Sequence, residues 1–246
     1  QNRLATRISK AQVYEQVVSD LLQAMELLPQ SYLTPERVRP NKATAKALLA
    51  RVFLYQENWL LAETMATEVI DNPDYIWEPD LDRIFLKEST ATIWQFAPKL
   101  SGNNADEASV FIFTSGPPPF VGLNPNLVTA FEPTDLRKSH WINTITDGTN
   151  TWYHAYKYKQ NTNTGTSLEY SVIFRLAEQY LIRAEARLKQ GNEIGAKSDV
   201  NLIRNTAGLP DTPATTEASL FDEIIVQRRL EFFTEYGHRF FDLKRT

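Results

Sequence analysis

ARVFLYQENWLLA at residues 50–62 and AEARLKQGNEIGA at residues 184–196 carry the strongest fold signal in this sequence. Each stretch has an alanine at both ends, twelve residues apart, and the second stretch follows the first at an offset of 134 residues. Small side chains are needed where two antiparallel helices cross closely, one before the turn and one after it. The spacing therefore indicates helix–turn–helix units of the tetratricopeptide kind, which stack because one hairpin cannot bury its own apolar face.

These two units do not belong to a tandem array, because the period of about 34 residues that is typical of such arrays is absent. We expect scattered helical hairpins with loops between them. An ordinary helical hairpin whose alanines match by chance is the alternative interpretation.

Residues 1–71 are predicted to form a helical scaffold. The first helix begins with a capping box at Ser9–Gln12 and ends at Pro29. Asn41 is the expected N-cap of the second helix, and a break at residues 57–58 separates that helix from a third. Asn72 and Pro73 then stop the third helix.

Residues 72–169 are predicted to be an irregular insertion that faces a ligand. This zone holds eight of the thirteen prolines, five of the nine glycines and four of the five tryptophans. Alternating side chains predict one strand at Thr92–Phe96, and a second strand is possible around Tyr156–Lys159. So long a stretch with little regular structure is typical of a functional insertion.

Residues 170–246 are predicted to be helical again. Two helices are expected to end near Gly191 and Gly208, and a third begins with a capping-box pattern at Ser219–Asp222. This last helix is expected to run to Gly237, so that the whole chain is mainly α, with tetratricopeptide-like hairpins around a loop-rich insertion that contains short strands.

The segment Arg228–Arg245 mixes charged side chains with aromatic ones. Arg228, Glu231 and Glu235 lie at helical spacings of three and four, which predicts that they share a face and pair. The same spacing predicts pairs between Arg175 and Glu178 and between Arg239 and Asp242. A helix end fixed in this way at the close of the chain indicates a piece of a larger domain.

Composition excludes several classes of protein. The net charge of −4 comes from interspersed acidic and basic residues, and no basic stripe of the kind that nucleic-acid binders show is present. The sequence contains no run of eighteen apolar residues, which is the length needed to span a membrane. Because the chain has no cysteine, disulfides, thiol nucleophiles and thiolate metal sites are excluded.

Several blocks of this sequence, in this order, resemble the SusD/RagB family of nutrient-binding lipoproteins of the Bacteroidetes outer membrane. The blocks are Ser9–Pro29, Asn41–Tyr55, Leu127–Arg137, Phe174–Ala186, Asn201–Arg204 and Arg228–Arg245. They extend over almost the whole chain, which would be about half of a typical member. The resemblance implies truncation at both ends, including loss of a lipidated N-terminal cysteine.

The resemblance also implies a location and partners. Members of the family lie at the cell-surface side of the outer membrane, anchored by lipid, and act as a lid on a TonB-dependent, SusC-like transporter. Helices form their scaffold side, and irregular loops on the other side hold an oligosaccharide or another nutrient polymer.

Catalytic and metal sites find little support in the sequence. Glu231 and Glu235 could be a catalytic carboxylate pair, but neighbouring arginines would keep both ionised, which favours a structural role. His140, His154 and His238 do not have the spacing of a zinc site. The spacing of Asp80, Asp82 and Asp147 is not that of a calcium-binding loop. No cofactor-binding motif is present.

Aromatic and amide side chains on loops remain as the candidate binding residues. Sugars stack their C–H faces on aromatic rings, while their hydroxyls need amide or carboxylate partners. Trp141, Trp152 and Tyr153 are the predicted stacking platform, although each ring could instead pack its own loop onto the helices. The predicted companions are Asn103, Asn104, Phe120 and Asn150. Trp59 and Trp94 are expected in the core.

Three hypotheses follow for the function. The leading one is non-catalytic binding of a nutrient polymer, most simply a glycan, followed by its delivery to a transporter. The alternative is a helical-repeat scaffold that binds another protein, and a glycan-active enzyme is the third hypothesis.

Overall fold

Helices dominate both ends of the chain in the computed structural model, which describes residues 7–246. The helices are α1 (Lys10–Leu27), α2 (Lys42–Tyr55), α3 (Trp59–Ile70), α4 (Asp106–Phe111), α5 (Pro125–Val128), α6 (Leu136–Trp141), α7 (Leu176–Lys189), α8 (Glu193–Thr206), α9 (Glu217–Glu231) and α10 (His238–Arg245). The strands are β1 (Thr92–Phe96), β2 (Ile142–Thr146), β3 (Thr151–Ala155) and β4 (Ser171–Arg175). The predicted mainly α class is confirmed.

The two helical hairpins pack as the alanine spacing predicts. Hairpin α2–α3 and hairpin α7–α8 lie side by side, with α3 against α7. The alanines at both crossings are completely buried; they are Ala50, Ala62, Ala184 and Ala196. Because any larger side chain would push these helices apart, the small residues set how closely the scaffold packs.

Local hydrogen bonds begin the helices where the chain has capping residues. Ser9 and Gln12 form the predicted capping box of α1, and the Asn41 side chain accepts from the Thr44 N–H at 3.0 Å. The prediction for α9 was three residues too late. Thr216, and not Ser219, is its N-cap, because Thr216 accepts the Ser219 N–H at 3.1 Å.

Two antiparallel pairs of strands occur in the described part of the insertion and at its end. The predicted strand at Thr92–Phe96 is confirmed as β1, and it pairs with β4. Strands β2 and β3 form a hairpin that the sequence did not predict. The possible strand at Tyr156–Lys159 is wrong, because the chain there turns inward and buries Lys157 and Tyr158 instead of pairing.

The predicted end of the last helix is also wrong. Helix α9 stops at Glu231, and a compact turn over residues 232–237 leads into α10. Gly237 takes a left-handed conformation, with φ of 73°, and precedes α10 rather than ending α9. Two carboxylates are buried here, Glu231 at the end of α9 and Glu235 in the turn.

The tryptophans expected in the core are partly buried. Trp94 packs between Phe96 and Phe174, and Trp59 lies against the apolar residues between α2 and α7. Trp77 donates its indole N–H to Thr206 at 2.9 Å. All three therefore support the scaffold rather than a ligand.

Candidate functional site

The charged side chains of the closing segment form a buried ion cluster. Glu231 accepts from Arg175 at 2.6 Å and from Arg137 at 3.0 Å, while Glu235 accepts from Lys157 at 2.5 Å and from Arg175 at 2.9 Å. These partners come from distant parts of the chain. The predicted pairing of Glu231 and Glu235 with Arg228 is therefore wrong, although the structural role of the charges stands.

The electrostatics of this cluster keep both carboxylates ionised. Burial acts to raise the pKa of Glu235, but the charges of Arg175 and Lys157 outweigh it and lower the pKa to about 2. The pKa of Glu231 is lowered for the same reason, by Arg175 and Arg137. Neither carboxyl therefore holds a proton for general-acid chemistry at neutral pH.

A second set of ion pairs fixes α10 to the scaffold. Arg228 donates to Asp242 at 2.9 Å, and Arg245 donates to Glu185 at 2.5 Å. The predicted Arg239–Asp242 pair does not form, because Asp242 faces Arg228 and Arg245 instead.

The predicted Arg175–Glu178 pair does not form either. Glu178 points to Arg51 of α2, at 2.5 Å, whereas Arg175 points to the carboxylates of the closing segment. Helical spacing does not apply to this pair, because Arg175 is the extended residue that precedes α7.

The three histidines occupy different environments in the structure. His140 bonds to Asp82 at 3.0 Å on the surface, whereas His154 and His238 are buried. No group of three or more potential metal-ligating side chains lies together within residues 7–246.

The structure removes Trp141 from the predicted stacking platform. Its side chain is completely buried, its indole N–H donates to the Leu81 carbonyl at 3.1 Å, and its ring packs on Phe85. Lys157 covers the ring, with Nζ 4.8 Å from the ring centroid. Since no face of the ring is open, Trp141 is a core residue that helps to bury the Lys157 charge.

Trp152 and Tyr153 are neighbours on β3, so their side chains point to opposite faces of the hairpin. Tyr153 packs against the apolar core beneath the hairpin. Trp152 lies on the other face, where the loop after α4 passes over it at Gly116. The two rings therefore cannot form one platform, and only Trp152 is positioned to face a ligand.

Gly116 determines where the Trp152 ring lies. A Cβ atom added to Gly116 would stand 2.2 Å from Cε3 and Cζ3 of Trp152. The backbone of the loop can approach the ring this closely only because residue 116 has no side chain. One side of the half-buried indole is thus covered by backbone.

Phe120 and Asn150 lie at exposed tips on this side of the molecule. Phe120 is 76% exposed at the end of the proline-rich loop over the hairpin. Asn150 is in the β2–β3 turn, where its backbone and side-chain N–H groups donate to Asp147. Phe120 is free to contact a ligand, whereas Asn150 mainly shapes the turn.

Asn103 and Asn104 line a groove of about 180 Å³ between the start of α4 and residues 160–163. Asn104 is buried, and its amide binds Thr162, Thr164, Leu168 and Glu169, which leaves it a structural role. The Asn103 side-chain oxygen accepts from Asn163 at 2.9 Å, whereas its amide nitrogen donates to no residue within 7–246.

The groove also contains polar residues that the sequence did not single out. Gln160, Asn161 and Asp106 line it, and none of their side chains forms a hydrogen bond to the described part of the chain. Gln160 and Asn161 lie in residues 143–166, a stretch rich in asparagine, threonine and glycine. That richness in amides was the signal that could have identified them.

Helix α4, which forms one wall of the groove, is fixed to the scaffold through Glu107. Its carboxylate accepts from Ser171 at 2.7 Å and from Tyr236 at 3.2 Å. The wall is therefore held by β4 on one side and by the turn before α10 on the other.

A search against protein families identifies this architecture. The model of the SusD family matches residues 124–246, which is half of the chain. The chain belongs to the SusD family. A second SusD-like model, described as starch-binding associating with outer membrane, matches residues 3–54. This description agrees with the outer-membrane localisation that the sequence resemblance implied.

One curated relative is the SusD-like protein P2 of Formosa agariphila. It is 39% identical over 83 residues, which cover 32% of this chain and 16% of that protein.

Solved SusD-like structures share the fold. A SusD-like protein from Bacteroides fragilis superposes with a TM-score of 0.79 at 24% identity, over 100% of this chain and 62% of that chain. Surface glycan-binding protein A from Bacteroides uniformis gives a TM-score of 0.77 at 22% identity, over 100% of this chain and 59% of that chain. The chain thus spans less than two thirds of the length of these relatives.

No helix within residues 7–246 is both long enough and apolar enough to cross a bilayer.

Proposed function

We propose that this chain is part of a non-catalytic protein that binds a glycan at the bacterial cell surface. The observation that carries the proposal is the amide-lined groove beside α4, formed by the same insertion that contains Trp152 and Phe120. Family membership supports it, and so does the name of the Bacteroides uniformis protein, which shares the fold and is described as a surface glycan-binding protein.

The side chains of the groove, together with Trp152 and Phe120, have the chemistry needed to bind a sugar chain. Each free amide offers both a donor and an acceptor, so one side chain can bind two adjacent hydroxyls. The indole of Trp152 and the ring of Phe120 offer apolar surface for the C–H faces of sugar rings. The groove is smaller than the roughly 300–1,000 Å³ of pockets that enclose a whole ligand, so it would hold one unit of a longer chain.

Delivery to a TonB-dependent, SusC-like transporter is the finer part of this proposal. It rests on family membership, together with the location described for the matching SusD-like model. A lipid anchor in the full-length protein belongs to the same proposal.

A second function has one observation in its favour. Leu60 and Ile194 occupy equivalent positions in the two helical hairpins, and they are 65% and 86% exposed. A helical scaffold that binds another protein could use these apolar side chains as contacts.

Affinity electrophoresis in gels that contain a polysaccharide tests the glycan proposal. Retardation of the wild-type protein, lost in a Trp152→Ala variant, supports it. Phe240→Ala, which removes an exposed ring from α10, is the matched control and should leave retardation unchanged. If polysaccharides retard neither protein while a Leu60→Ser/Ile194→Ser variant loses capture of a partner protein, the scaffold function replaces glycan binding.

A further inference from the structure

The groove beside α4 has an unusual charge pattern. Among the described residues, the groove is lined by amide and hydroxyl side chains and by one alanine. Asp106 is the single charged residue in this lining. The Asp106 carboxylate is exposed and makes no ion pair with any described residue. A ligand in the groove therefore meets one negative charge and no lining positive charge.

The basic side chains of the adjacent segment are committed elsewhere. Lys157 is buried and donates to Glu235 at 2.5 Å, and Lys159 is paired with Asp82. Neither lysine is available to compensate an anionic ligand.

We propose that this groove selects an uncharged glycan and rejects chains that carry carboxylates or sulfates, with Asp106 as the residue that sets the preference. The proposal rests on the glycan-binding function proposed above and names the chemical class of its ligand.

Two physical arguments support this selectivity. Proteins bind carboxylate and sulfate groups through arginine or lysine, and the groove lining has neither. A carboxylate that has no internal partner can accept hydrogen bonds from two adjacent hydroxyls of a neutral sugar, but it repels an anionic one. At about 6 Å in water, that repulsion costs about threefold in affinity for each charge.

The free amides complete the site for a neutral ligand. Asn103 is held in place by Asn163, so its amide nitrogen, which has no partner among the described residues, is preorganised, and Asn161 and Gln160 line the same space. Because an amide both donates and accepts hydrogen bonds, it can bind a hydroxyl that acts as acceptor or as donor. It carries no positive charge that would favour binding of an anion.

Affinity electrophoresis with two panels of polysaccharides tests the proposal. The neutral panel contains starch, laminarin and galactomannan, and the anionic panel contains alginate and polygalacturonate. We expect retardation by at least one neutral polymer and by neither anionic polymer. Asp106→Lys should weaken retardation by the neutral polymer and introduce retardation by the anionic ones.

Asp222→Asn is the control, because it removes an exposed carboxylate from α9, outside the groove, and should change neither result. Retardation of the wild-type protein by anionic polymers, equal to or stronger than that by neutral ones, would overturn the selectivity while leaving glycan binding intact. Retardation by none of the five polymers would overturn the glycan-binding function itself. An Asp106→Lys variant that behaves as wild type would show that Asp106 does not set the preference.

Discussion

At the scale of single residues, the site depends on side chains whose roles are set by their surroundings. Trp141 and Trp152 are both tryptophans in the same loop-rich zone, yet one is completely buried beside Lys157 and the other is only partly buried under Gly116. Composition predicted an aromatic site, but it could not tell which of the two rings is a core residue. The burial of each ring depends on which distant chain segments pack on it.

Gly116→Ala should displace the Trp152 ring. The new Cβ would lie 2.2 Å from two ring carbons, so the ring or the loop must move. We expect a shift in tryptophan fluorescence, a loss of about 1–3 kcal/mol of stability from overpacking and at least partial loss of polysaccharide retardation. Ser115→Ala, at the preceding exposed position, should leave all three unchanged. Unaltered fluorescence in Gly116→Ala would contradict the close packing described above.

His238 should make the fold sensitive to acid. Burial lowers the pKa of His238 to about 4, whereas the side chain titrates at 6.5 in the unfolded chain. Between these values the unfolded chain binds a proton that the folded protein does not, so stability decreases as pH falls. The expected loss from this residue is about 2 kcal/mol between pH 7 and pH 5.

Urea unfolding at several pH values measures this effect. A His238→Gln variant should show a flatter dependence on pH over that interval, whereas Ser115→Ala, which changes no titratable group, should follow the wild-type protein. Equal slopes in all three proteins would contradict the proposed protonation of His238 on unfolding.

At the scale of helices and strands, the sequence was most informative where the signals were local. Strand β1 and the N-terminal caps of α1 and α2 were predictable because alternation and capping are properties of a few adjacent residues. Strand β4 was not predictable, since it runs directly into α7 without a break and is held by a partner far away in the chain.

The β2–β3 hairpin is an intermediate case. Its turn contains Asp147 and Gly148, a dipeptide typical of tight hairpin turns. The flanking strands are rich in threonine and asparagine, which made them resemble a loop. The turn signal was present in the sequence, but polar composition masked it.

Asn41→Ala should destabilise the scaffold through α2. Asn41 is completely buried, accepts from the Thr44 N–H and also donates to the Tyr75 hydroxyl at 3.1 Å. We expect a loss of about 1–2 kcal/mol in the free energy of unfolding, measured with urea. Asn58→Ala, at the exposed cap of α3 with a long 3.4 Å hydrogen bond, should cost less than half as much. An equal loss of unfolding free energy in the two variants would show that burial of the Asn41 cap does not add to its contribution to stability.

At the scale of the whole molecule, buried charges join the parts of the chain that the helices bring together. The ion cluster links α6, the segment after β3, the end of β4 and the turn after α9. The sequence indicated that the charges of the closing segment were structural. It did not identify their partners, because those partners are 56 to 94 residues away.

Arg175→Leu should be among the most destabilising substitutions in the described chain. It removes the side chain that binds both Glu231 and Glu235, and it leaves two buried carboxylates with less compensation. The expected cost is about 3–5 kcal/mol in the free energy of unfolding. Lys46→Met, which breaks a partly exposed pair with Glu68, should cost less than about 1 kcal/mol. A cost for Arg175→Leu similar to that of Lys46→Met would contradict a structural role for the cluster.

If the loops of the insertion bind a glycan and the helical hairpins act as scaffold, binding should protect only the loops from hydrogen exchange. Hydrogen-exchange mass spectrometry, with and without oligosaccharides of the neutral polymer that retards the protein, measures this protection. We expect slower exchange over residues 103–109 and 150–163 and no change over residues 42–70 and 176–206. Protection confined to the helical hairpins, or no protection in the loops at saturating oligosaccharide, would contradict glycan binding by the loops.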